Sequence, residues 1–149
     1  MTRPLHALSF DVEEFFHVAN LREHFPTMAD WETAPSRLDV GMDAILTLLE
    51  HHGARATFFF LGWVAERRPD LVRRCHEAGH EIASHGYDHR FLGDVGPEGI
   101  EEHLALAEAA IEAAGVPRPI GFRASTFTVT RETWWALEAL ARRGYAYDS

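Results

Sequence analysis

The chain has 149 residues, of which 46% are hydrophobic, and this suits one globular domain spanning residues 1–149. Its formal charge of −9 argues against a nucleic-acid partner, because phosphate backbones are bound by clustered Lys and Arg. No apolar run approaches the roughly 18 residues of a membrane span, and the N-terminus lacks signal-peptide features, so we expect a cytoplasmic protein with no transmembrane segment.

Strand and helix patterns alternate along the first half of the chain. A short apolar run at residues 5–10 predicts the first strand, and the polar stretch at residues 20–35, broken by prolines, predicts a long loop with one helical turn. Helical spacing of apolar residues then predicts a helix over residues 36–52. Ser36 followed by Asp39 resembles a capping box at the start of this helix.

The same alternation continues through the second half. Apolar residues 56–62 predict a strand covered on both faces. The next helix, residues 69–78, contains the only cysteine, Cys75, which we expect to be a buried thiol. Strand–helix alternation over short connections indicates a parallel sheet of about five strands. Further strands are predicted at residues 80–84, 120–126 and 145–149, with helices at 96–115 and 130–143. Because the last strand stops at its start, we expect the chain to be the N-terminal portion of a longer protein.

Polar side chains follow the predicted strands at the point where each strand ends. Functional residues of parallel βα folds gather at these carboxyl ends, so we expect the side chains to share one rim. They are Asp11, Glu13 and Glu14 after the first strand, His85, Asp88 and His89 after the third, Arg123, Ser125 and Thr126 after the fourth, and Asp148 after the fifth.

The spacing of His85 and His89 suits a metal site. Two histidines four residues apart on a helical turn lie on one face, and two imidazoles with one carboxylate form a catalytic metal arrangement. Alternation along a strand places Asp11 and Glu13 on one face, so Glu13 is a better ligand candidate than Glu14. Two loop histidines and acids stabilised by a helix N-terminus remain simpler explanations of the same residues.

The other candidates concern catalysis and substrate. A second carboxylate beside a metal can act as general base, and Arg123 would pair with Asp11 and keep it ionised, although a rim salt bridge explains the arginine equally well. His17 lies near the acidic motif and could line a substrate groove. His80 is predicted to be structural, and most other histidines, including His103, are predicted at surface or boundary positions.

Taken together, three motifs resemble those of the NodB-like polysaccharide deacetylases, which form carbohydrate esterase family four. "SFDVEE" resembles the family's Thr-Phe-Asp-Asp motif, "SHGYDH" its His-Ser/Thr-x-x-His motif, and "GFRAST" its Arg-x-Pro motif. The acidic motif is also similar to that of the subgroup found with exosortase-type exopolysaccharide loci. The resemblance implies an α/β fold, an irregular (β/α) barrel that is incomplete in this chain.

The resemblance also implies a role for each matching residue. The cofactor would be a divalent metal, most readily Zn²⁺ with Co²⁺ or Mn²⁺ as alternatives. The implied metal ligands are Glu13, His85 and His89; the implied catalytic residues are Asp11 as base, Arg123, which orients it, and Asp148; and Glu14, His17, Ser125 and Phe127 are expected to contact the substrate.

This sequence departs from the family pattern in several places. Gly86 stands where the family has a loop-supporting Ser or Thr, Ser125 stands in place of Pro, and Glu13 is longer than the usual Asp. The family's late motif, which supplies a general-acid histidine, has no counterpart. We therefore expect this stretch alone to be weakly active or inactive.

The function implied is metal-dependent hydrolysis of N-acetyl groups on an N-acetylated polysaccharide, an exopolysaccharide in particular. Three alternatives stay open. The chain could act on small amides, it could be a glycan-binding module without turnover, or its two histidines and carboxylate could form the iron site of an oxygenase.

Overall fold

The computed structural model describes residues 6–149. Within them, five strands form one parallel sheet in the order β1-β2-β3-β4-β5, and β1 does not pair with β5, so the sheet is open. The predicted α/β fold with about five parallel strands is confirmed. The strands are β1 (Ser9–Val12), β2 (Thr57–Phe60), β3 (Glu81–Ser84), β4 (Gly121–Phe122) and β5 (Tyr147–Asp148). The helices are α1 (Met28–Thr33), α2 (Leu38–His51), α3 (Gly62–Arg67), α4 (Pro69–Glu77), α5 (Leu92–Ala113) and α6 (Trp135–Arg142).

Two hydrophobic clusters hold helices against the sheet. The larger one lies around β2, where Phe58 and Phe60 are fully buried, and it includes apolar residues of α2, α3 and α4. The smaller one joins β4 to α5 and α6 around Phe122 and Leu104. Because helices cover the faces of the sheet, polar side chains close to the sheet are expected mainly at the ends of its strands.

Strand β1 begins later than predicted. It starts at Ser9, and the predicted start at Leu5 lies outside the described residues. Asp11 pairs with Phe59 in the parallel register and Val12 pairs with Phe60, so Asp11 is inside the strand and not after it. The sheet register therefore fixes the backbone of Asp11, which gives its carboxylate a rigid base.

The starts of the first two helices also differ from prediction. The Ser36–Asp39 capping box is wrong: Arg37 is the N-cap of α2 and gives no side-chain cap, while Ser36 Oγ accepts a hydrogen bond from Leu38 N at 3.4 Å. A capping box forms instead at Thr27 with Asp30, where it begins α1 inside the predicted loop.

Helix α3 was missed, and the helix after β3 begins earlier than predicted. The first amides of α3, from Gly62 and Trp63, donate to the carbonyls of Gly86 and Tyr87 at 2.8 and 2.9 Å, partners that the local sequence does not reveal. Helix α5 starts at Leu92 and passes through a kink at the left-handed Gly96, the predicted start. The predicted last helix is divided into a 3₁₀ turn (Arg131–Thr133) and α6.

Predictions about single buried residues had mixed outcomes. Cys75 is buried, as predicted, and burial raises the pKa of its thiol to about 12. His80 is also buried. The surface position predicted for His103 is wrong, because its side chain is 3% exposed under α5. In residues 6–149, every helix is too short or too polar to cross a bilayer.

Candidate metal centre

The candidate metal ligands lie at the carboxyl ends of β1 and β3, the two strands that flank β2. Glu13 follows β1, and His85 follows β3 directly. Ligand atoms of Glu13, His85 and His89 all lie within 4.8 Å of one another. The two histidines are buried, and the Glu13 side chain is 21% exposed, so the cluster is open to solvent on the glutamate side. The structure thus brings the three predicted ligands together.

The two histidines meet because of a loop and not because of a helical turn. Residues 85–89, called the histidine loop below, form no helix, and the helical geometry that we assumed for the pair is wrong. Gly86 and His89 both have left-handed backbones, with φ of 76° and 57°. The turn brings the imidazole centroids to 5.4 Å. A non-glycine residue in this region costs about 1–2 kcal/mol, so neighbouring structure must hold His89 in place.

The His85 ring is oriented by a backbone carbonyl. His85 Nδ1 donates to the carbonyl oxygen of Arg123 at 2.7 Å, which leaves Nε2 without a proton and free to bind a cation. Burial lowers the pKa of His85, although the Asp11 carboxylate acts in the opposite direction. The imidazole is therefore held in its neutral form, which is the form that binds metal ions.

The Glu13 carboxylate provides the test of whether a cation fits. Its Oε2 lies 2.9 Å from His89 Nε2, yet among the described residues it has no hydrogen-bond partner although it is buried. Leaving a buried charged oxygen without a partner is costly, and a cation bound jointly with the imidazoles would remove that cost. Two imidazole nitrogens and one carboxylate oxygen are a donor set typical of catalytic zinc. The residues fit a divalent metal.

A second carboxylate stands beside this cluster. Asp11 Oδ1 accepts a hydrogen bond from Arg123 Nη1 at 2.6 Å, and Asp11 Oδ2 lies 3.9 Å from His85 Nε2. Arg123 Nη2 donates to Ser9 Oγ at 2.8 Å and to Ser149 Oγ at 2.9 Å. The guanidinium also lies over the ring of Phe59, 4.1 Å from its centroid. One oxygen of Asp11 is therefore fixed, while the other faces the cluster.

Glu14 and His17 form a linked pair beneath the cluster. Glu14 is buried, and its Oε2 accepts from Arg37 N at 2.9 Å, so its carboxylate holds the loop before α2 and lies outside the metal cluster. Its backbone N–H donates to His17 Nδ1 at 3.1 Å. His17 therefore carries its proton on Nε2, which is buried and has no partner within residues 6–149. Burial lowers the pKa of His17 to about 3.

The other predicted site residues lie around Arg123. Ser125 is buried and its carbonyl accepts from Thr128 Oγ1 at 2.8 Å. Phe127 is 67% exposed, with its ring centroid 5.5 Å from the guanidinium of Arg123. Asp148 lies on the edge strand β5, opposite Phe122, and partial burial raises the pKa of its carboxyl group. Phe127 and Asp148 are thus close to Arg123, which holds Asp11.

The sequence of this chain matches that of a known protein family. The polysaccharide deacetylase family model matches residues 32–145. This chain belongs to the polysaccharide deacetylase family. The fold of this deacetylase domain is similar to that of a Mycobacterium smegmatis protein named as a polysaccharide deacetylase, with a TM-score of 0.79 and 33% identity over 95% of this chain and 49% of the other. The described part of the domain is thus an incomplete barrel of that type.

Two curated relatives show how much of a deacetylase the chain covers. It is 36% identical over 69 residues to a chitooligosaccharide deacetylase of Azorhizobium caulinodans, covering 46% of this chain and 33% of the relative. It is 33% identical over 79 residues to a peptidoglycan-N-acetylglucosamine deacetylase of Bacillus cereus, covering 53% and 37%. The matched segment thus corresponds to about a third of each relative.

Sequence reasoning missed two features of the deacetylase site. One is the buried contact between Asp88 and His103, whose Oδ1 and Nδ1 atoms are 3.5 Å apart. The other is most of a cavity of about 310 Å³ beside His89, with walls that include Phe16, His17 and Trp31. Only the prediction that His17 lines a groove, made from its position near the acidic motif, pointed to this cavity. Tertiary packing creates the rest of both features, and the high histidine content, ten residues, marks no particular position.

Proposed function

We propose that this deacetylase domain carries the catalytic centre of a metal-dependent enzyme that hydrolyses N-acetyl groups on a polysaccharide. The observation that carries the proposal is the position of Asp11, which is fixed by Arg123 on one oxygen and lies beside the Glu13, His85 and His89 cluster on the other. A free carboxylate next to a metal is the arrangement that amide hydrolysis requires, because water must lose a proton as it attacks.

Zn²⁺ is the proposed metal, held by Glu13, His85 and His89. Nitrogen ligands favour zinc over Mg²⁺ or Ca²⁺, and the mixed donor set also admits Co²⁺ or Mn²⁺. When bound, the metal supplies Lewis-acid polarisation of a carbonyl oxygen and acidifies water. An oxygenase with ferrous iron uses the same donor set, but such a site does not require the Arg123-held Asp11.

The chain's own groups supply the removal of the water proton and the positioning. As the amide C–N bond breaks, the leaving amine takes its proton from the general-acid histidine of the family's late motif, which has no counterpart in this sequence. Asp11 accepts the proton of the attacking water through Oδ2, and Arg123 holds the carboxylate in the correct orientation. The proposed donor to the developing oxyanion is a backbone N–H near Ser125, and one such donor typically contributes about 10²–10³ in rate. Asp148 adds a second carboxyl group near Arg123. Its proposed role is to tune the general-acid histidine of the family's late motif.

The proposed substrate is an N-acetylated glycan of the exopolysaccharide class. The aromatic cavity beside His89 suits the apolar face of a sugar, and the unpartnered Nε2–H of His17 suits a sugar oxygen. The exposed ring of Phe127 offers a further stacking surface. Glu14 is left out of the proposed contacts because its carboxylate already accepts the Arg37 amide. The acidic motif Asp-Val-Glu-Glu-Phe-Phe supports membership of the exopolysaccharide subgroup.

Acetate release from defined glycans tests the proposal. The zinc-loaded full-length protein is incubated with N-acetylated exopolysaccharide, chitooligosaccharide, peptidoglycan and small N-acetyl amides, and acetate is measured before and after chelation. We expect release from a polymer, loss on chelation and recovery with zinc. Activity on small amides alone would instead identify a small-amide deacylase, and tight glycan binding without acetate would identify a binding module.

A further inference from the structure

The histidine loop contains a turn that its own residues stabilise only in part: the Asp88 carboxylate accepts from Arg90 N at 3.4 Å and from Arg90 Nε at 2.8 Å, but neither bond reaches Tyr87. Gly86 has a left-handed backbone and no side chain that could hold the turn, and the next left-handed position is His89 itself. The carbonyls of Gly86 and Tyr87 are held by the first amides of α3, but those bonds leave the Tyr87 N–H to be satisfied from another direction. Some other group must therefore complete the turn that places His89.

That group is the imidazole of His103 on α5. His103 Nε2 accepts the hydrogen bond of Tyr87 N at 3.2 Å. On the other side of the ring, Nδ1 lies 3.5 Å from Asp88 Oδ1. This contact is too loose to count as a hydrogen bond, and Nδ1 has no hydrogen-bond partner among the described residues. His103 and Asp88 are 3% and 8% exposed, so both contacts are shielded from water. One ring thus touches two consecutive residues of the histidine loop.

The protonation state of His103 follows from these contacts. Because Nε2 accepts from an amide, the proton must be on Nδ1, which faces the Asp88 carboxylate. Burial lowers the pKa of His103 to about 4, with Asp88 opposing this change and Arg90 adding to it. The ring is neutral at physiological pH, and only the neutral ring can accept the Tyr87 amide.

Gly86 and His103 are also coupled sterically. A Cβ atom added at Gly86 would lie 2.5 Å from His103 Nε2, closer than non-bonded atoms approach. The imidazole therefore occupies the space into which a side chain at residue 86 would extend. The absence of a side chain at one position and the presence of the ring at the other are complementary parts of one arrangement.

We propose that His103 is a positioning residue, which fixes the histidine loop through Tyr87 and Asp88 and thereby sets the metal affinity of His85 and His89. The inference rests on the proposed function only in that these histidines bind the metal. The polar contacts of His103 within residues 6–149 are with Tyr87 and Asp88, which are not metal ligands. Groups that orient ligands from outside the coordination sphere typically contribute about 10–100-fold in metal affinity.

Zinc affinity, measured by competition with a chromophoric chelator, tests this role. H103L keeps the approximate size of the ring but removes both polar contacts, and we expect its zinc Kd to rise by about 10–100-fold. H103Q can accept from Tyr87 N through its amide oxygen and donate to Asp88 through its amide nitrogen, so it should restore most of the affinity. H76L, at an exposed histidine of α4, is the matched control and should bind zinc like the wild type.

A spectroscopic readout separates positioning from general destabilisation. The visible absorption of Co²⁺ reports ligand geometry, and we expect a changed spectrum in H103L and a nearly native one in H103Q. If H103L does not fold, H103N serves instead, because its shorter side chain cannot reach both partners and should bind zinc more weakly than H103Q. Folded variants that all match the wild type in zinc Kd and Co²⁺ spectrum would overturn the inference.

The metal site is checked in the same titration, so the two proposals fail differently. E13Q should lose most zinc binding whatever His103 does. If E13Q and the wild type bind zinc equally, the assigned metal ligands are wrong and the inference about His103 falls with them. If E13Q loses zinc while the His103 variants do not, the metal site stands and only the positioning role is refuted.

Discussion

Strand β2 and the histidine loop lie side by side in this deacetylase domain, but they are built in opposite ways. In β2, Phe58 and Phe60 are completely buried, and the strand pairs with β1 on one side and β3 on the other. The histidine loop is equally buried but holds two imidazoles, a carboxylate and two left-handed residues. The buried side chains of β2 are thus apolar and pack together, whereas the buried side chains of the histidine loop are mainly polar and are held in defined positions.

This difference teaches that stability and chemistry are separable in the domain. Apolar burial in β2 contributes about 1.5–3 kcal/mol for each large side chain and makes no demand on orientation beyond packing. The histidine loop contributes little to the stability of the fold, because the contacts of each buried polar group must first offset the cost of removing that group from water. Substitutions in β2 should therefore change the free energy of unfolding, whereas substitutions at the metal cluster should change zinc affinity or activity.

The largest effect is expected from Asp11→Asn. The amide keeps the hydrogen bond from Arg123 available through its oxygen but cannot accept a proton from water, so kcat should fall by about 10²–10⁴. Acetate release by the full-length protein measures the loss, and zinc titration should show that the metal still binds. D39N, an exposed carboxylate paired with Arg68, is the matched control and should retain activity. Full activity in D11N would remove Asp11 from the mechanism.

The next prediction compares the two neighbouring glutamates. E13Q removes the charged ligand, so its zinc Kd should rise by more than the roughly 10–100-fold expected of a residue outside the coordination sphere. E14Q keeps an oxygen that can accept the Arg37 amide and should bind zinc normally. Equal losses in both variants, or a loss confined to E14Q, would show that the ligand assignment is wrong.

Phe58→Ala probes the other side of the comparison. Its ring is fully buried and stacks on Phe10 with centroids 5.3 Å apart, so the truncation should lower the free energy of unfolding by about 3–5 kcal/mol. Denaturant unfolding measures this cost. F127A removes the same side chain from an exposed position and should change stability by less than about 0.5 kcal/mol. The folded fraction of F58A should still bind one zinc ion, and a loss of stoichiometry would mean that core and site are not separable.

The same contrast explains which parts could be predicted from the sequence. The apolar run of β2 and the alternation of strands and helices follow from local pattern, and they gave the parallel α/β fold. The residues that meet at the rim, Glu13, His85 and His89, could be named because the carboxyl ends of parallel strands share one edge.

The features that could not be predicted depend on contacts between distant segments. Helix α3 begins where its amides meet the carbonyls of Gly86 and Tyr87, and no capping residue at Leu61 announces it. His103 looked like a surface residue of a polar helix, because its partner residues lie 15 and 16 positions earlier in the chain. The geometry of the histidine pair was wrong for the same reason, since the turn is set by α3 and α5.

His17 packs on the core residue Trp63 and also lines the cavity beside His89, and it provides the smallest expected effect. Its ring packs against Trp31 and Trp63, with centroids 4.7 and 4.9 Å away, while His89 contributes to its electrostatic environment. Burial lowers its pKa to about 3 from an unfolded value of 6.5, so the unfolded chain binds more protons between these limits. Stability from this group is therefore complete above pH 6.5 and declines as the pH falls toward 3.

For protein kept free of metal by a chelator, this residue should contribute a loss of at most about 2 kcal/mol between pH 7 and pH 5. H17Q cannot titrate, so its free energy of unfolding should fall less over the same interval, whereas H52Q, at an exposed histidine, should follow the wild type. Denaturant unfolding at each pH gives the comparison. Parallel pH profiles for the wild type and H17Q would mean that water or a relaxed backbone already solvates the ring. His17 would then make no pH-dependent contribution to stability, and its packing on the core would not restrict its protonation.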